Sequence, residues 1–239
     1  MKKLIQSLIS SAGYTRIVKA LIRSSIIHEK SEKFRRDVIN AISAAQFEAD
    51  ELQGVKKFPT YDELVSSTIE RASNDDHIWV ELGVMTGRSA RKLVAEAARQ
   101  GRSAELHGFD SFEGLPEDWH ARAKKGAFAI RQPTFSETNI HIHVGLFDET
   151  LPVFAKGLKA QIGLIHIDSD LYSSAKTAFD ELKPFIGKGT VILFDEYWNY
   201  PEFMEHEIKA FREFLAQTGL GFEYIGYYPD HMQLSVVIT

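Results

Sequence analysis

Cysteine is missing from all 239 residues. Its absence excludes disulfides, thiolate nucleophiles and cysteine-ligated zinc, and it fits a reducing cytoplasm, the expected location. No stretch approaches the roughly 20 apolar residues of a membrane span. Strong positive charge is lacking too: the net charge of −5 speaks against nucleic acid as a partner. No histidines form H-E-x-x-H, and no glycine stretch reads G-x-G-x-x-G or carries the lysine of a P-loop. Internal repeats and low-complexity tracts are absent. What is there, 44% hydrophobic and 26% charged residues, suits a soluble chain with one α/β domain and a smaller attachment.

The charge is unevenly spread. Residues 1–36 hold nine Lys/Arg against two Glu, a balance of +7, so the remainder carries −12. "MKKLIQSLISS" opens like a signal peptide, but Gln6 and Ser7 interrupt its apolar run and no hydrophobic core follows. Leu4, Ile5, Leu8 and Ile9, then Ile17, Val18, Leu21 and Ile22, recur at helical spacing. These helices are expected to pack on the main domain or on a second copy in a homo-oligomer; attachment of the basic face to an acidic membrane surface is the alternative.

Residues 1–75 read as a helical cap, lid or oligomerisation segment, broken near "QGVKKFPTYDE". Within it Thr60 is expected to cap a helix Tyr61–Ala72, with Glu63 at the capping-box position. From residue 76 the pattern changes. Strand-like runs occur at 77–82, 104–109, 140–144, 162–167 and 190–194, separated in several places by helical stretches at 90–100, 151–160, 173–185 and 202–218. Such alternation predicts a Rossmann-like parallel sheet covered on both faces. Two last strands, 222–228 and 232–239, lie too close together to be anything but antiparallel neighbours.

Three strand ends carry chemistry. "WVELGVMTGRSA" sets Glu81 at the end of the first strand, then Gly83 and Gly87, then a helix beginning near Ser89. Glycines there permit a sharp turn and close approach of a ligand, and the helix N-terminus offers free N–H groups. "LHGFDSFEGLP" ends the second strand in Asp110, 23 residues after Gly87, where an acid is placed to accept from ribose hydroxyls. The third feature is a repeated one. "GLIHIDSDLY" finishes a buried strand with Asp168 and Asp170, and "VILFDEY" finishes the next with Asp195 and Glu196. Unpaired buried charge is costly, so each pair must reach water, meet cations or hold a metal.

Together with "GLFDETLP", these segments resemble the class I S-adenosylmethionine-dependent methyltransferases, and more narrowly the macrocin O-methyltransferase-like family, from about Ile78 to Tyr197. The resemblance implies a seven-stranded sheet with an antiparallel last strand. It implies that Glu81, Gly83, Gly87 and Ser89 surround the methionine part of the cofactor, with Asp110 and Ser111 at its ribose. By the same resemblance Asp168, Asp195 and Glu196 hold a divalent cation, usually magnesium, and Asp170 is the general base. Two aspartates are usual where this chain has Asp195-Glu196. The chemistry is coherent: magnesium takes hard oxygen ligands, lowers the pKa of a bound hydroxyl, and a nearby carboxylate accepts the proton.

The activity expected is therefore O-methyl transfer to a hydroxyl of a small molecule or sugar. Asp168-Ser169-Asp170 also fits the D-x-D of a nucleotide-sugar glycosyltransferase, which leaves the glycine loop and Asp110 without a role. A non-catalytic adenosine-ligand binding module is the third reading. His107, His141, His143 and His166 are expected to be satisfied within the fold. His120, in a loop over the crevice, is a candidate substrate contact. The aromatics of "YWNYPEF" are read first as packing.

Overall fold

The computed structural model describes Arg23 and residues 32–72, 78–119 and 123–239. The apolar stripes up to Ile22, together with His120, lie outside the described residues. The chain divides into two compact units, Met1–Glu51 and Leu52–Thr239. Helix α1 (Glu32–Glu51) belongs to the first.

In the second unit Leu52 and Phe58 are buried, and Phe58 donates its amide to the Tyr227 carbonyl. The unit therefore begins well ahead of residue 76. Helix α2 (Tyr61–Arg71) starts where its capping signal lies: Thr60 Oγ1 accepts from the Glu63 amide at 3.2 Å. Its Leu64, Val65 and Ile69 join Trp79, Leu93, Leu106, Leu164 and Leu193 in one core. Burying each such side chain contributes about 1.5–3 kcal/mol, which fixes α2 against the sheet.

Seven strands form that sheet: β1 (Ile78–Leu82), β2 (Glu105–Asp110), β3 (Ile140–Val144), β4 (Ile162–Ile167), β5 (Val191–Phe194), β6 (Phe222–Tyr227) and β7 (Leu234–Ile238). Their order is β3-β2-β1-β4-β5-β7-β6. All neighbours are parallel except β7, which runs antiparallel to both β5 and β6, as the short tail connection requires. Helices α3 (Arg88–Arg99), α4 (Phe147–Gly157), α5 (Tyr172–Leu182) and α6 (Glu207–Thr218) connect the strands.

Two helices differ from their expected bounds. The stretch 202–218 is not one helix. A single 3₁₀ turn (Phe203–Glu205) is followed by a break at His206, whose φ of −110° and ψ of −119° are not helical. Helix α4 begins at Phe147 rather than at Leu151, soon after β3, and carries Pro152 inside it, where the missing N–H leaves the Asp148 carbonyl without its usual helical donor.

Register positions the site. Leu82 pairs with Phe109 and with Ile167, and Ile167 pairs with Phe194. Just past these pairs the amides of Gly83, Asp168 and Asp195 each donate to a neighbouring strand at 2.9 Å. Gly83, Asp168 and Asp195 thus follow the ends of β1, β4 and β5, and Asp110 closes the adjacent β2, all on one rim.

Candidate active site

A crevice of about 440 Å³ opens at that rim, a size ordinary for a small-molecule site. Six of the ten residues singled out in the sequence line it: Gly83, Asp110, Ser111, Asp168, Asp170 and Glu196. Glu81, Gly87, Ser89 and Asp195 do not.

Asp110 holds the crevice wall in shape. Its Oδ2 accepts from the amides of Val84 at 2.9 Å and Met85 at 2.7 Å, and its Oδ1 accepts from Phe112 at 2.7 Å. One carboxylate therefore pins the loops after β1 and β2 together. Its two oxygens retain lone pairs for a further donor on the crevice side.

Gly83 has a φ of +94°, and a Cβ there would come within 1.8 Å of the Asp168 carbonyl oxygen. Its lack of a side chain lets β1 and β4 end side by side. Gly87, at φ +72°, caps α3 without a side chain, and the Phe135 ring would lie 2.4 Å from a Cβ. Arg91 fastens that segment by donating to the carbonyls of Thr86, Gly87 and Thr134. Ser89 sits in the first turn of α3. These residues shape the loop from behind.

Glu81 is wholly buried, outside the crevice lining, and engages His166: its Oε1 lies 3.0 Å from His166 Nδ1. On the other side of the ring, the Tyr61 hydroxyl lies 3.4 Å from Nε2. Burial alone lowers the histidine pKa. The hydrogen bond and charge of Glu81 outweigh it, with Asp168 and Asp195 adding, and the imidazole is pushed up to about 9.

Ligand atoms of His166, Asp168 and Asp195 all lie within 4.8 Å of one another. With both ring nitrogens of His166 engaged, at Glu81 and Tyr61, the hard oxygen donors of the group are Asp168 and Asp195. Gln233 steadies the second by donating from Nε2 to Asp195 Oδ1 at 3.1 Å. A pair of carboxylates suits a hard divalent ion. Glu196 stands outside that group of three.

Burial, then repulsion from Asp195, raises Asp168 well above its ordinary range, even though His166 pulls the other way. The same two causes push Asp170 up to about 7. Asp170 has a φ of +61°, an uncommon conformation for a non-glycine residue and one met at functional sites. Glu196 is likewise raised by burial and by the neighbouring acids. The crevice thus gathers carboxyl groups on one side and, with Met85, Leu115, Phe128, Leu146 and Phe147, is apolar on the other. That combination suits a ligand with a cationic centre and a flat apolar group.

Several lining residues had no role assigned from the sequence. Gly145–Asp148, after β3, had a strand-end acid as its signal. Ser173, Ser174 and Thr177 lie at i, i+1 and i+4 on α5, and Ser173 Oγ donates to Glu117 Oε1 at 2.5 Å. Tyr61 had no signal at all. The expected packing role of the 197–203 aromatics is met: Tyr197, Trp198, Tyr200 and Phe203 are buried. The histidines are also satisfied, with His107 against His143 at 3.0 Å and His141 against Glu105 at 2.7 Å.

Residues 80–197, about half of the chain, match the methyltransferase domain family. A relative of known activity is the 8-demethyl-8-(2,3-dimethoxy-alpha-L-rhamnosyl)-tetracenomycin-C 4'-O-methyltransferase of Streptomyces olivaceus. It is 28% identical over 138 residues, 49% of this chain and 52% of the relative, so the match spans about half of that protein's length. Among solved structures, the calicheamicin methyltransferase CalS11 superposes with a TM-score of 0.58 at 18% identity, covering 95% of this chain and 93% of that one. The O-methyltransferase NovP does so with a TM-score of 0.55 at 20% identity, covering 74% and 78%. At such identities the superpositions speak for the fold alone. The domain match displaces the glycosyltransferase reading of Asp168-Ser169-Asp170. With it and the strand order in agreement, this chain belongs to the class I S-adenosylmethionine-dependent methyltransferases.

Proposed function

We propose that the protein moves the methyl group of S-adenosylmethionine to a hydroxyl oxygen of a small-molecule or sugar acceptor, with a divalent cation, magnesium, at Asp168 and Asp195. The observation that carries this reading is the convergence of those two carboxylates beside a crevice walled by Asp110 and the glycine loop. The tetracenomycin relative, by its name, methylates a sugar oxygen, which supports the acceptor class.

In this reading Gly83, Asp110 and Ser111 line the donor's seat. Glu81, Gly87 and Ser89 hold that seat in shape, Glu81 by way of His166. When bound, a magnesium ion supplies Lewis acidity toward an acceptor hydroxyl. Glu196, at the crevice wall, adds negative charge there. Asp170 accepts the hydroxyl proton on its carboxylate; a value near 7 matches a base working near neutrality. The acceptor oxygen then bonds to the methyl carbon as the carbon–sulfur bond breaks, and the apolar wall excludes competing water.

The test is methyl transfer to a panel of sugars and catechols, with and without chelator, in the wild type and in Asp170→Asn. We expect chelation to stop turnover. Asp170→Asn should lower the rate by about 10²–10⁴-fold while donor affinity stays within threefold. Donor binding without turnover on any acceptor would instead make the protein an adenosine-ligand binding module.

A further inference from the structure

Three histidines share one face of the sheet edge, outside the crevice lining. β3 closes the sheet on one side, and it carries His141 and His143 two positions apart. Alternate strand residues point to the same face. The register sets His107 of β2 opposite His141, and Phe109 opposite His143. The imidazoles meet there: His107 Nδ1 lies 3.0 Å from His143 Nε2, and the His107 and His141 rings stack with centroids 4.9 Å apart.

Their surroundings favour ligation. The Phe109 ring stacks on His143 at 4.5 Å, and Phe154 of α4 packs against His107 at 4.8 Å and His143 at 5.3 Å. Phenyl rings on that side limit how the two half-buried imidazoles can turn. His141 is exposed, which gives a dissolved ion a way in. Its Nε2 lies 2.7 Å from Glu105 Oε2, the carboxylate contact that orients a ligating histidine and makes its other nitrogen more basic. Burial, then the charge of His141, keeps His107 and His143 from taking up protons in the ordinary range. Both rings therefore offer lone pairs at neutral pH.

The spacing suits two ligands of one ion. Zinc–nitrogen bonds of about 2.0–2.1 Å set ligand nitrogens roughly 3–3.4 Å apart, and the His107–His143 separation of 3.0 Å lies at the short end. In the neutral pair one ring's N–H faces the other's lone pair. A metal ion takes the place of that hydrogen, which moves to the outer nitrogen of its own ring. His141 does not converge on the pair as tightly as the ligand atoms of His166, Asp168 and Asp195 do on each other. It joins by turning its exposed side chain.

We propose that this chain binds one zinc ion, or a divalent transition metal of similar softness, through His107, His141 and His143 at the β2–β3 edge. Imidazole suits zinc, nickel and copper, whereas magnesium keeps to oxygen, so this edge and the crevice select different metals. An ion held by both strands stabilises the folded chain, because the unfolded chain lacks the assembled site. Nothing in this inference depends on the methyl-transfer reading.

Calorimetric zinc titration of the metal-free full-length protein, with excess magnesium present to occupy the carboxylates, tests it. The wild type is expected to bind one zinc ion per chain and to melt at a higher temperature when it does. His143→Ala should weaken binding at least tenfold. His141→Ala, at an exposed position where folding is not at risk, should do the same and decides the matter if the first variant fails to fold. Asp168→Asn should keep zinc affinity within threefold. No zinc uptake by the wild type, or wild-type affinity in His141→Ala, overturns the proposal. Uptake lost in Asp168→Asn puts the zinc in the crevice and overturns it as well.

Discussion

Glu81 aims its charge at a histidine two strand positions from the acids, and the consequence is measurable. His166 binds its proton more tightly in the folded state, near pH 9, than in an unfolded chain at its ordinary 6.5. Its contribution to stability is therefore complete below pH 6.5 and lost as the pH rises through about 9. Denaturant unfolding between pH 6 and 10 should show that decline in the wild type. Glu81→Gln leaves the buried imidazole without its counter-charge, so at pH 6 it should cost about 3–5 kcal/mol and flatten the upper part of the profile. A variant curve parallel to the wild type would count against the pair. At this scale the sequence announces acids well, because an ionisable residue closing an apolar strand stands out. It does not announce Tyr61, which meets His166 across 105 positions, or Glu207, whose burial depends on how α6 seats after the break at His206.

Among the elements, the strands and their helices were readable from alternation and caps, and Thr60 behaves as its motif requires. The start of α4 and the break before α6 were not, because both depend on local backbone that composition does not signal. The glycines were seen for a partial reason: Gly83 makes room for the backbone of β4 and Gly87 for Phe135. The two loops above β1 and β2 form one mechanical piece through Asp110. Asp110→Ala removes three charge-assisted hydrogen bonds at once, each worth about 1.5–3 kcal/mol in context. Calorimetry should find donor affinity reduced by at least tenfold, while the strands, held by their own ladder, keep their circular dichroism. Unchanged affinity would mean that the loops stand without it.

The β2–β3 edge makes a separate prediction. His107 and His143 face each other, and burial followed by the charge of His141 lowers both; with His143 adding, His107 falls to about 4. A depressed folded value means that the neutral ring favours the fold. Stability from His107 is present above pH 6.5 and lost as the pH falls toward 4. His107→Phe should remove part of the acid sensitivity between those limits, read as a smaller drop in melting temperature from pH 7 to 4.5. An equal drop would assign the sensitivity elsewhere.

Across the whole chain, negative charge dominates once the first 36 residues are set aside, and several acids gather at the rim where β4 and β5 end. No helix among the described residues is long and apolar enough to cross a membrane. Five strands deliver loops and acids to one crevice because parallel strands present their ends on the same side, and the order of the sheet puts β1 and β4 at its centre. The central claim is that a sulfonium donor and a divalent cation meet there. A crystal structure with S-adenosylhomocysteine and Mn²⁺, collected at the manganese edge, tests it most directly. The account predicts an anomalous peak bridged by Asp168 and Asp195, with the nucleoside against Asp110 and the sulfur turned toward the metal. A nucleoside seated elsewhere, or manganese bound away from those carboxylates, would contradict it.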